Sequence, residues 1–165
     1  MSSTPPRKRS PLYLFIDGAS RGNPGPSGVG VAIFEKKESA KPLAEIAVYL
    51  GETTNNVAEY CALLVGLQEA AHRSAPAVEV FTDSELLARQ VTGQYKVRDA
   101  RLQWLHALVR HAAAGFSSFS ITHIPREQNK KADRLANQAV TAGTRAPAAK
   151  QARPDSDSSD QLTLF

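Results

Sequence analysis

Four acidic side chains stand where a folded chain could bring them together. Asp17 follows the first apolar, β-prone run, and Asp83 follows a later one. If these two strands are parallel neighbours, their carboxyl ends open into one crevice, which is where open α/β sheets usually hold ligands. Glu59, in the first turn of a predicted helix, and Asp133, in the second turn of another, could reach the same edge. We therefore expect the four carboxylates to meet.

Such a group of acids indicates a metal site. Clustered carboxylates repel one another, and burial raises their pKa values unless cations neutralise them. Mg²⁺ prefers oxygen ligands and uses a few carboxylates together with phosphate oxygens of a substrate. Two such ions about 3.5 to 4 Å apart can hold an attacking water and a leaving oxygen in line across a phosphodiester. The acids thus predict two Mg²⁺ ions, with Mn²⁺ as an alternative, and hydrolysis of nucleic acid.

Each acid also has a simpler explanation. Asp17 could start a turn into the Gly-rich segment after it, and Glu59 could form a capping box with Asn56. Asp83 could cap the helix that follows it, and Asp133 could pair with a neighbouring Lys or Arg at the surface. For each residue alone both explanations stay open, but together the four acids favour the metal site.

Hydrophobic periodicity predicts one α/β domain over residues 11–142, in the order βββαβααβα. The first three strands are predicted to form an antiparallel meander. Asn55 or Asn56 is the expected N-cap of the first helix, and Gly143 is the expected stop of the last. The predicted strands are 12–16, 28–34, 43–50, 78–83 and 119–124, and the predicted helices are 55–73, 84–91, 100–114 and 128–141.

Composition sets broad limits on the protein. Residues 1–10 predict a disordered basic arm and residues 143–160 a flexible linker, because neither segment can bury much apolar area. No apolar stretch approaches the roughly 20 residues that span a bilayer, and the N-terminal residues lack the apolar region of a signal peptide, so we expect a cytoplasmic protein that contacts no membrane. A net charge of +4 permits a polyanionic partner without requiring one. The single cysteine, Cys61, is expected to be a small core residue, and a monomer is the default.

Four motifs, in order along the chain, resemble the type 1 ribonucleases H. They are DGASRGNPGPSG at 17–28, TTNNVAEY at 53–60, TDS at 82–84 and HIPREQNKKAD at 123–133. The resemblance implies a ribonuclease H-like α/β fold: a five-stranded mixed sheet, three antiparallel strands followed by parallel additions, flanked by helices. It also implies an endonuclease that hydrolyses the RNA strand of RNA–DNA hybrids and leaves 5′-phosphate and 3′-hydroxyl ends.

The resemblance further assigns roles to the acids. Asp17 is expected to bridge both metals, Asp133 to join it at the metal that activates water, and Glu59 and Asp83 to complete the shell of the second metal. Many members of the family use a histidine in the loop before the last helix for proton transfer or product release. His123 lies at a suitable separation from Asp133 for that role, but it also falls inside a predicted strand, so a strand histidine is the alternative.

Polar residues elsewhere in the motifs are candidates for substrate contacts. Four of them match family positions that contact the hybrid: Asn23, Thr54, Asn55 and Asn56. Amides and hydroxyls can bond to 2′-hydroxyls, base edges and phosphates without demanding one sequence, although capping of the helix is an alternative role. In the link before the third helix, Lys96 and Arg98 could meet DNA phosphates, or could simply lie in a solvated loop.

The last five residues, 161–165, resemble the peptide by which bacterial replication and repair proteins bind the sliding clamp. Such a peptide needs apolar anchors, a polar residue that sets the register and a flexible tether. Here the polar residue is Gln161 and the anchors are Leu162, Leu164 and Phe165. A tether of about 18 residues spans on the order of 25 Å as a flexible coil. A frayed terminus, or a strand added to the domain's own sheet, is the alternative.

Two other functions remain open on the sequence. One is a non-catalytic module that binds hybrid or double-stranded RNA, against which the four acids argue. The other is a related nuclease with another nucleic-acid substrate, against which the TTNN segment at 53–56 argues.

Overall fold

The computed structural model describes residues 9–145, in which five strands form one mixed sheet with the order β3-β2-β1-β4-β5. The predicted α/β architecture is confirmed, including the antiparallel β1–β2–β3 meander and the parallel additions of β4 and β5. The elements are β1 Leu12–Ser20, β2 Gly25–Phe34, β3 Ala44–Thr53, α1 Asn55–His72, β4 Ala77–Thr82, α2 Glu85–Val91, α3 Ala100–Ala113, β5 Ser118–His123, a 3₁₀ turn Arg126–Gln128 and α4 Lys130–Arg145.

The central strand, β1, is longer than the sequence predicted. Its expected end was Ile16, but residues 17–20 continue as strand because they pair with β2, with Asp17 opposite Gly30. The parallel pairing with β4 does stop at Ile16, which lies opposite Thr82. Asp17 therefore marks the end of one pairing and lies inside the other, which excludes its alternative role as the first residue of a turn.

Helices cover the two faces of the sheet. Alternate residues of β1, namely Leu12, Leu14 and Ile16, are buried in the main core, to which α1 contributes Leu63 and Leu67. Cys61 packs partly buried against this core, as expected of a small apolar residue. The opposite face of β1, β2 and β3 carries α4. The catalytic candidates therefore lie on elements packed against one face of the sheet or the other.

Helix α4 lies unusually close to β2 because β2 carries glycine at the crossing. A Cβ atom on Gly30 would lie 2.1 Å from the Ala132 carbonyl oxygen and 2.5 Å from the Ala136 nitrogen, distances that no side chain can occupy. The short side chains of Ala132 and Ala136, both fully buried, complete the contact. This contact sets the height of Asp133 above the sheet.

The end of α4 corrects one prediction. The helix does not stop before Gly143 but continues to Arg145, so the folded domain extends three residues beyond the predicted boundary at 142. Gly143 packs against a ring instead of ending the helix, since a Cβ there would lie 2.1 Å from Cγ of Tyr49 on β3. The predicted linker beyond Arg145, the predicted peptide at 161–165 and most of the predicted basic arm lie outside the described residues. Within residues 9–145, no helix is long and apolar enough to cross a membrane.

Candidate active site

Three of the four acids form a tight group at one edge of the sheet. The pairing of Ile16 with Thr82 puts the next residues, Asp17 in β1 and Asp83 just after β4, at the same level. Glu59 joins them from α1, and one carboxylate oxygen from each of the three lies within 4.8 Å of the others. Residues distant in sequence are thus brought into coordination range of a single cation.

Glu59 reaches Asp17 because a glycine lets α1 contact β1 directly. A Cβ atom on Gly18 would lie 2.3 Å from both the Ala58 carbonyl carbon and the Glu59 nitrogen. The Gly18 N–H donates to Oε2 of Glu59 at 3.3 Å. The capping role considered for Glu59 is not seen, since the N-cap of α1 is Thr54 rather than Asn55 or Asn56.

Asp133 lines the same cleft, whose volume is about 420 Å³, but lies outside the tight group of three. Its carboxylate is within hydrogen-bonding reach of Asp17. Arg126 lies 3.4 Å from Oδ1 of Asp133, and Nδ2 of Asn137 donates to that oxygen at 3.2 Å. The surface ion pair considered for Asp133 therefore exists, and it points into the cleft.

Burial and mutual repulsion perturb the acids strongly. Desolvation, then the charges of Asp83 and Asp133, raise the pKa of Asp17 from 3.8 to about 8. Burial, followed by the charges of Asp17 and Asp83, also raises the pKa of Glu59 well above its usual range, against the opposing effect of the Gly18 N–H. Without added positive charge, the group therefore retains protons near neutral pH.

Asn129, which the sequence reasoning missed, holds Asp83 in place. Its Nδ2 donates to Oδ1 of Asp83 at 3.0 Å and to the Ile16 carbonyl oxygen at 2.8 Å. The side chain is 1% exposed, and its Oδ1 has no hydrogen-bond partner among the described residues. Asp83 does not cap α2, because Ser84 does. In a sequence, an asparagine just before a helix is typical of an N-cap. Only the burial of Asn129 in the fold distinguishes its role of holding Asp83 from capping.

Arg126 and Asn137 were also missed, although Arg126 lies inside a quoted motif. Both line the cleft and contact Asp133. Arg126 also lowers the pKa of Asp17, in opposition to burial and the neighbouring acids. Its position three residues after the end of β5 resembles that of any solvated loop arginine, and nothing in the sequence indicates that the 3₁₀ turn places it beside Asp133.

The predicted substrate residues gather at the rim of the cleft. Oδ1 of Asn23, in the β1–β2 turn, accepts from the Asn55 backbone N–H at 3.1 Å and so joins that turn to the start of α1. Asn55 lines the cleft, and the side chains of Asn23, Asn55 and Asn56 are exposed. Thr54 is half-buried and accepts from the Val57 N–H at 3.3 Å, so it does cap the helix. Contact of these four residues with a hybrid stays a prediction.

Three other candidates lie outside the cleft. Lys96 and Arg98 are exposed in the link between α2 and α3, where Lys96 lines a separate hollow beside Tyr95. His123 is the last residue of β5. It lies opposite Thr82, which is the last residue of β4 and immediately precedes Asp83. Its side chain is exposed and does not line the cleft. The roles proposed for these three residues stay predictions.

The donor set of the cleft fits hard divalent cations. It consists of carboxylate oxygens, the ligands that Mg²⁺ and Mn²⁺ prefer, and within the described residues its tight group contains neither thiolate nor imidazole. Burial and the neighbouring acids raise the pKa values of Asp17 and Glu59, and the positive charge of Arg126 offsets the shift of Asp17 only in part. Divalent ions would supply further positive charge.

Comparison with known proteins gives a consistent result. Residues 15–139 match the family model described as "Reverse transcriptase-like". Ribonuclease HI of the archaeon Halobacterium salinarum is 38% identical over 135 residues, which cover 82% of this chain and 67% of that protein. A bifunctional protein of Mycobacterium tuberculosis is 40% identical over 138 residues, but the match covers only 38% of its length.

Solved structures agree with the sequence relatives. The RNase H1 of Halobacterium salinarum NRC-1 superposes with a TM-score of 0.77 at 38% identity, over 81% of this chain and 99% of that one. LC11-RNase H1, isolated from compost and solved in complex with an RNA/DNA hybrid, gives a TM-score of 0.75 at 40% identity, again over 81% and 99% of the two chains. With the family match, the topology and the gathered acids, these similarities show that the chain belongs to the ribonuclease H family of enzymes.

Proposed function

We propose that the protein is an endonuclease that hydrolyses the RNA strand of RNA–DNA hybrids with two divalent metal ions. The observation that carries the proposal is the meeting, in one cleft, of four acids from four separate elements. A related structure at 40% identity was solved with an RNA/DNA hybrid, which supports the same substrate class here.

In this proposal each residue of the cleft has a separate role. Asp17 would hold both ions, Glu59 and Asp83 would complete the ligands of one, and Asp133 would complete those of the other. Divalent cations bound there would supply positive charge that acidifies an attacking water and offsets the charge developing on the phosphate. Asn129 fixes the carboxylate of Asp83, and Arg126 orients that of Asp133. Preorganised side chains of this kind avoid reorganisation during the reaction.

Recognition of the hybrid rests on the polar rim of the cleft. The exposed amides of Asn23, Asn55 and Asn56 surround the start of α1 and present both donors and acceptors. Such groups can bond to a 2′-hydroxyl, which distinguishes RNA from DNA. Lys96 and Arg98, on the α2–α3 link, are proposed to meet phosphates of the DNA strand, and His123 to assist proton transfer or product release.

The test uses four labelled substrates: hybrid, RNA duplex, DNA duplex and single-stranded RNA, each with Mg²⁺ or Mn²⁺. We expect cutting of the RNA in the hybrid alone. Asp17→Asn should abolish cutting while leaving hybrid binding and the fold intact, because it removes a charge from the cleft without changing shape. The matched control is Asp99→Asn, an exposed acid that caps α3, since asparagine caps a helix equally well.

Each arm of the experiment can refute the proposal. Hybrid binding without cutting would favour the non-catalytic module, and preferential cutting of another duplex would favour the related nuclease. Retained activity in Asp17→Asn would remove that residue from the mechanism.

We also propose that residues 161–165 bind the bacterial sliding clamp, with Leu162, Leu164 and Phe165 as anchors and Gln161 setting the register. The support is the sequence pattern alone, since the segment lies outside the described residues. Deletion of 161–165 should abolish co-elution with the clamp and leave turnover of short hybrids unchanged. Ser158→Ala in the preceding segment is the control. Co-elution that survives the deletion would contradict the proposal.

A further inference from the structure

A second hollow, of about 570 Å³, runs along the exposed face of α4 and opens into the catalytic cleft. The two share Asp133 and Asn137 as lining residues. We call the second hollow the α4 groove, defined by those two residues together with Arg134, Thr141 and Arg145. Because it begins at a catalytic acid, whatever occupies the cleft meets this groove next.

The groove is lined by arginines on one side of the helix. Arg134 and Arg145 are separated by eleven positions of α4, which is about three turns and returns the chain to the same face. At 1.5 Å per residue, the two lie about 16 Å apart along the axis. Both side chains are exposed. Asp133 is the only acidic residue of α4, so the face is basic beyond the cleft.

A third arginine contacts two residues that line the groove. Arg21, in the β1–β2 turn, donates to the Thr141 hydroxyl and, at 3.4 Å, to the Asn137 carbonyl oxygen. Both bonds use one terminal nitrogen, Nη2, which leaves the other guanidinium N–H groups directed elsewhere. The turn and α4 therefore place three guanidinium groups along one face of α4.

None of these three arginines pairs with a carboxylate among residues 9–145. By contrast, Arg73 and Arg89 pair with glutamates one turn earlier on their helices, each at 2.7 Å. Unneutralised guanidinium groups along one track suit a row of phosphates, to which arginine donates in a bidentate manner.

We infer that the α4 groove binds the phosphate backbone of the cleaved strand beyond the scissile bond, on one side of it. This inference rests on the proposed function, because the groove continues from the acids that act on that strand. A span of about 16 Å covers several phosphates of a strand whose phosphates advance about 3.4 Å each along the helix axis. The groove thereby adds affinity that is independent of base sequence.

The test removes two charges from the groove and leaves the four acids in place. Arg134→Gln/Arg145→Gln is compared with Arg73→Gln/Arg110→Gln, which removes two charges from exposed positions, one at the C-cap of α1 and one on α3, on the other face of the sheet. Hybrid dissociation constants are measured against salt in an Asp17→Asn background, so the substrate stays whole. Two lost phosphate contacts should reduce the slope of log Kd against log salt by about 1.4 to 1.8. The control pair should keep the parent slope.

A second measurement locates the contact. Hybrids with a single cleavable position are shortened in the RNA strand, either 5′ or 3′ of the cut. Where the shortened hybrid still contains the contacted phosphates, the groove variant should lose as much kcat/KM as it does on full-length hybrid. Where the shortening has removed those phosphates, its kcat/KM should equal that of the parent. An unchanged salt slope, or an equal loss on both series, would overturn the inference. If the parent neither binds nor cuts hybrid, the proposed function fails as well, and that outcome is visible before any groove variant is made.

Discussion

Asn129 is a single side chain that ties the catalytic edge together. One amide nitrogen bridges the backbone of β1, at Ile16, and the carboxylate of Asp83, after β4. Hydrogen bonds to charged groups contribute about 1.5 to 3 kcal/mol, and the Asn129 side chain that donates this one is buried. The amide also keeps the carboxylate of Asp83 from turning away from Asp17 and Glu59. It therefore supports the site indirectly, as a positioning residue.

Replacing Asn129 should weaken metal binding more than it weakens the fold. For Asn129→Ala we expect a loss of about 10- to 100-fold in activity or in divalent-metal affinity, as is typical when a group that orients a ligand is removed. Mn²⁺ binding by titration calorimetry and the Mg²⁺ dependence of cutting would measure it. Gln128→Ala, the exposed neighbour, is the control.

The coupling between Asn129 and Asp83 separates positioning from general stability. In an Asp83→Asn background, Asn129→Ala should cause little further loss of metal affinity. The side chain that Asn129 positions is then no longer a carboxylate ligand of the metal. Additive losses in the double variant would assign Asn129 a purely structural role.

At the scale of elements, α4 and β2 form the tightest contact that bears on the site. Gly30 touches the backbone of α4 on both sides of Asp133, at Ala132 and Ala136. Any side chain at this position must lift the helix. The carboxylate of Asp133 would move with it, away from Asp17.

Gly30→Ala should therefore destabilise the protein and impair cutting together. Overpacking of this kind costs about 1 to 3 kcal/mol, and here the clash is with backbone atoms that cannot rotate aside. Thermal melting and hybrid cleavage are the measurements. Gly115→Ala is the control, since a Cβ atom at Gly115 would lie 3.3 Å from its nearest neighbour, the Ala112 carbonyl oxygen. An unchanged melting temperature for Gly30→Ala would contradict the close contact described for α4.

The strands and helices were largely predictable from the sequence, because local sequence patterns determine them. Apolar runs and helical spacing are sufficient to predict the order βββαβααβα, which the structure has. The ends were harder, because they depend on partners. Residues 17–20 extend β1 by pairing with residues 27–30 of β2, and residues 25–27 extend β2 by pairing with β3. Gly143 stays helical and packs against the ring of Tyr49. The sequence alone does not distinguish a glycine that ends a helix from one that lets an aromatic ring pack against the helix.

The site was predictable where chemistry alone marks a residue. Asp17, Glu59 and Asp83 are acids in suitable positions, and the structure brings them together. Asn129 and Arg126 were missed because asparagine and arginine are ordinary at helix starts and in loops. Only the fold shows that one is buried and the other turned towards Asp133.

For the whole molecule, the crowded acids make stability depend on pH when no divalent metal is bound. The pKa of Asp17 is about 8 in the folded protein and near 3.8 in the unfolded chain, so between these values the folded state holds a proton that the unfolded state has released. The free energy of unfolding must then fall as pH rises through this window. Glu59, whose pKa is raised in the same direction, adds to the effect.

The metal-free protein, prepared with a chelator, should therefore melt at lower temperature at pH 8 to 9 than at pH 5 to 6. Mg²⁺ should raise the melting temperature most at the higher pH, because it binds the deprotonated carboxylates. Asp17→Asn should remove much of this pH dependence and be more stable than the parent at pH 9. A melting temperature that rises from pH 5 to pH 9 without metal would contradict the raised pKa of Asp17.

The four acids are contributed by β1, α1, the segment after β4 and α4, so the cleft draws on nearly the whole length of the folded chain. During translation, the first three acids leave the ribosome well before Asp133, and α4 must then pack on β2 before the set is complete. In the proposed mechanism, neither a nascent chain nor a proteolytic fragment that lacks α4 carries the complete set of acids, so cutting would begin only once the whole domain has folded.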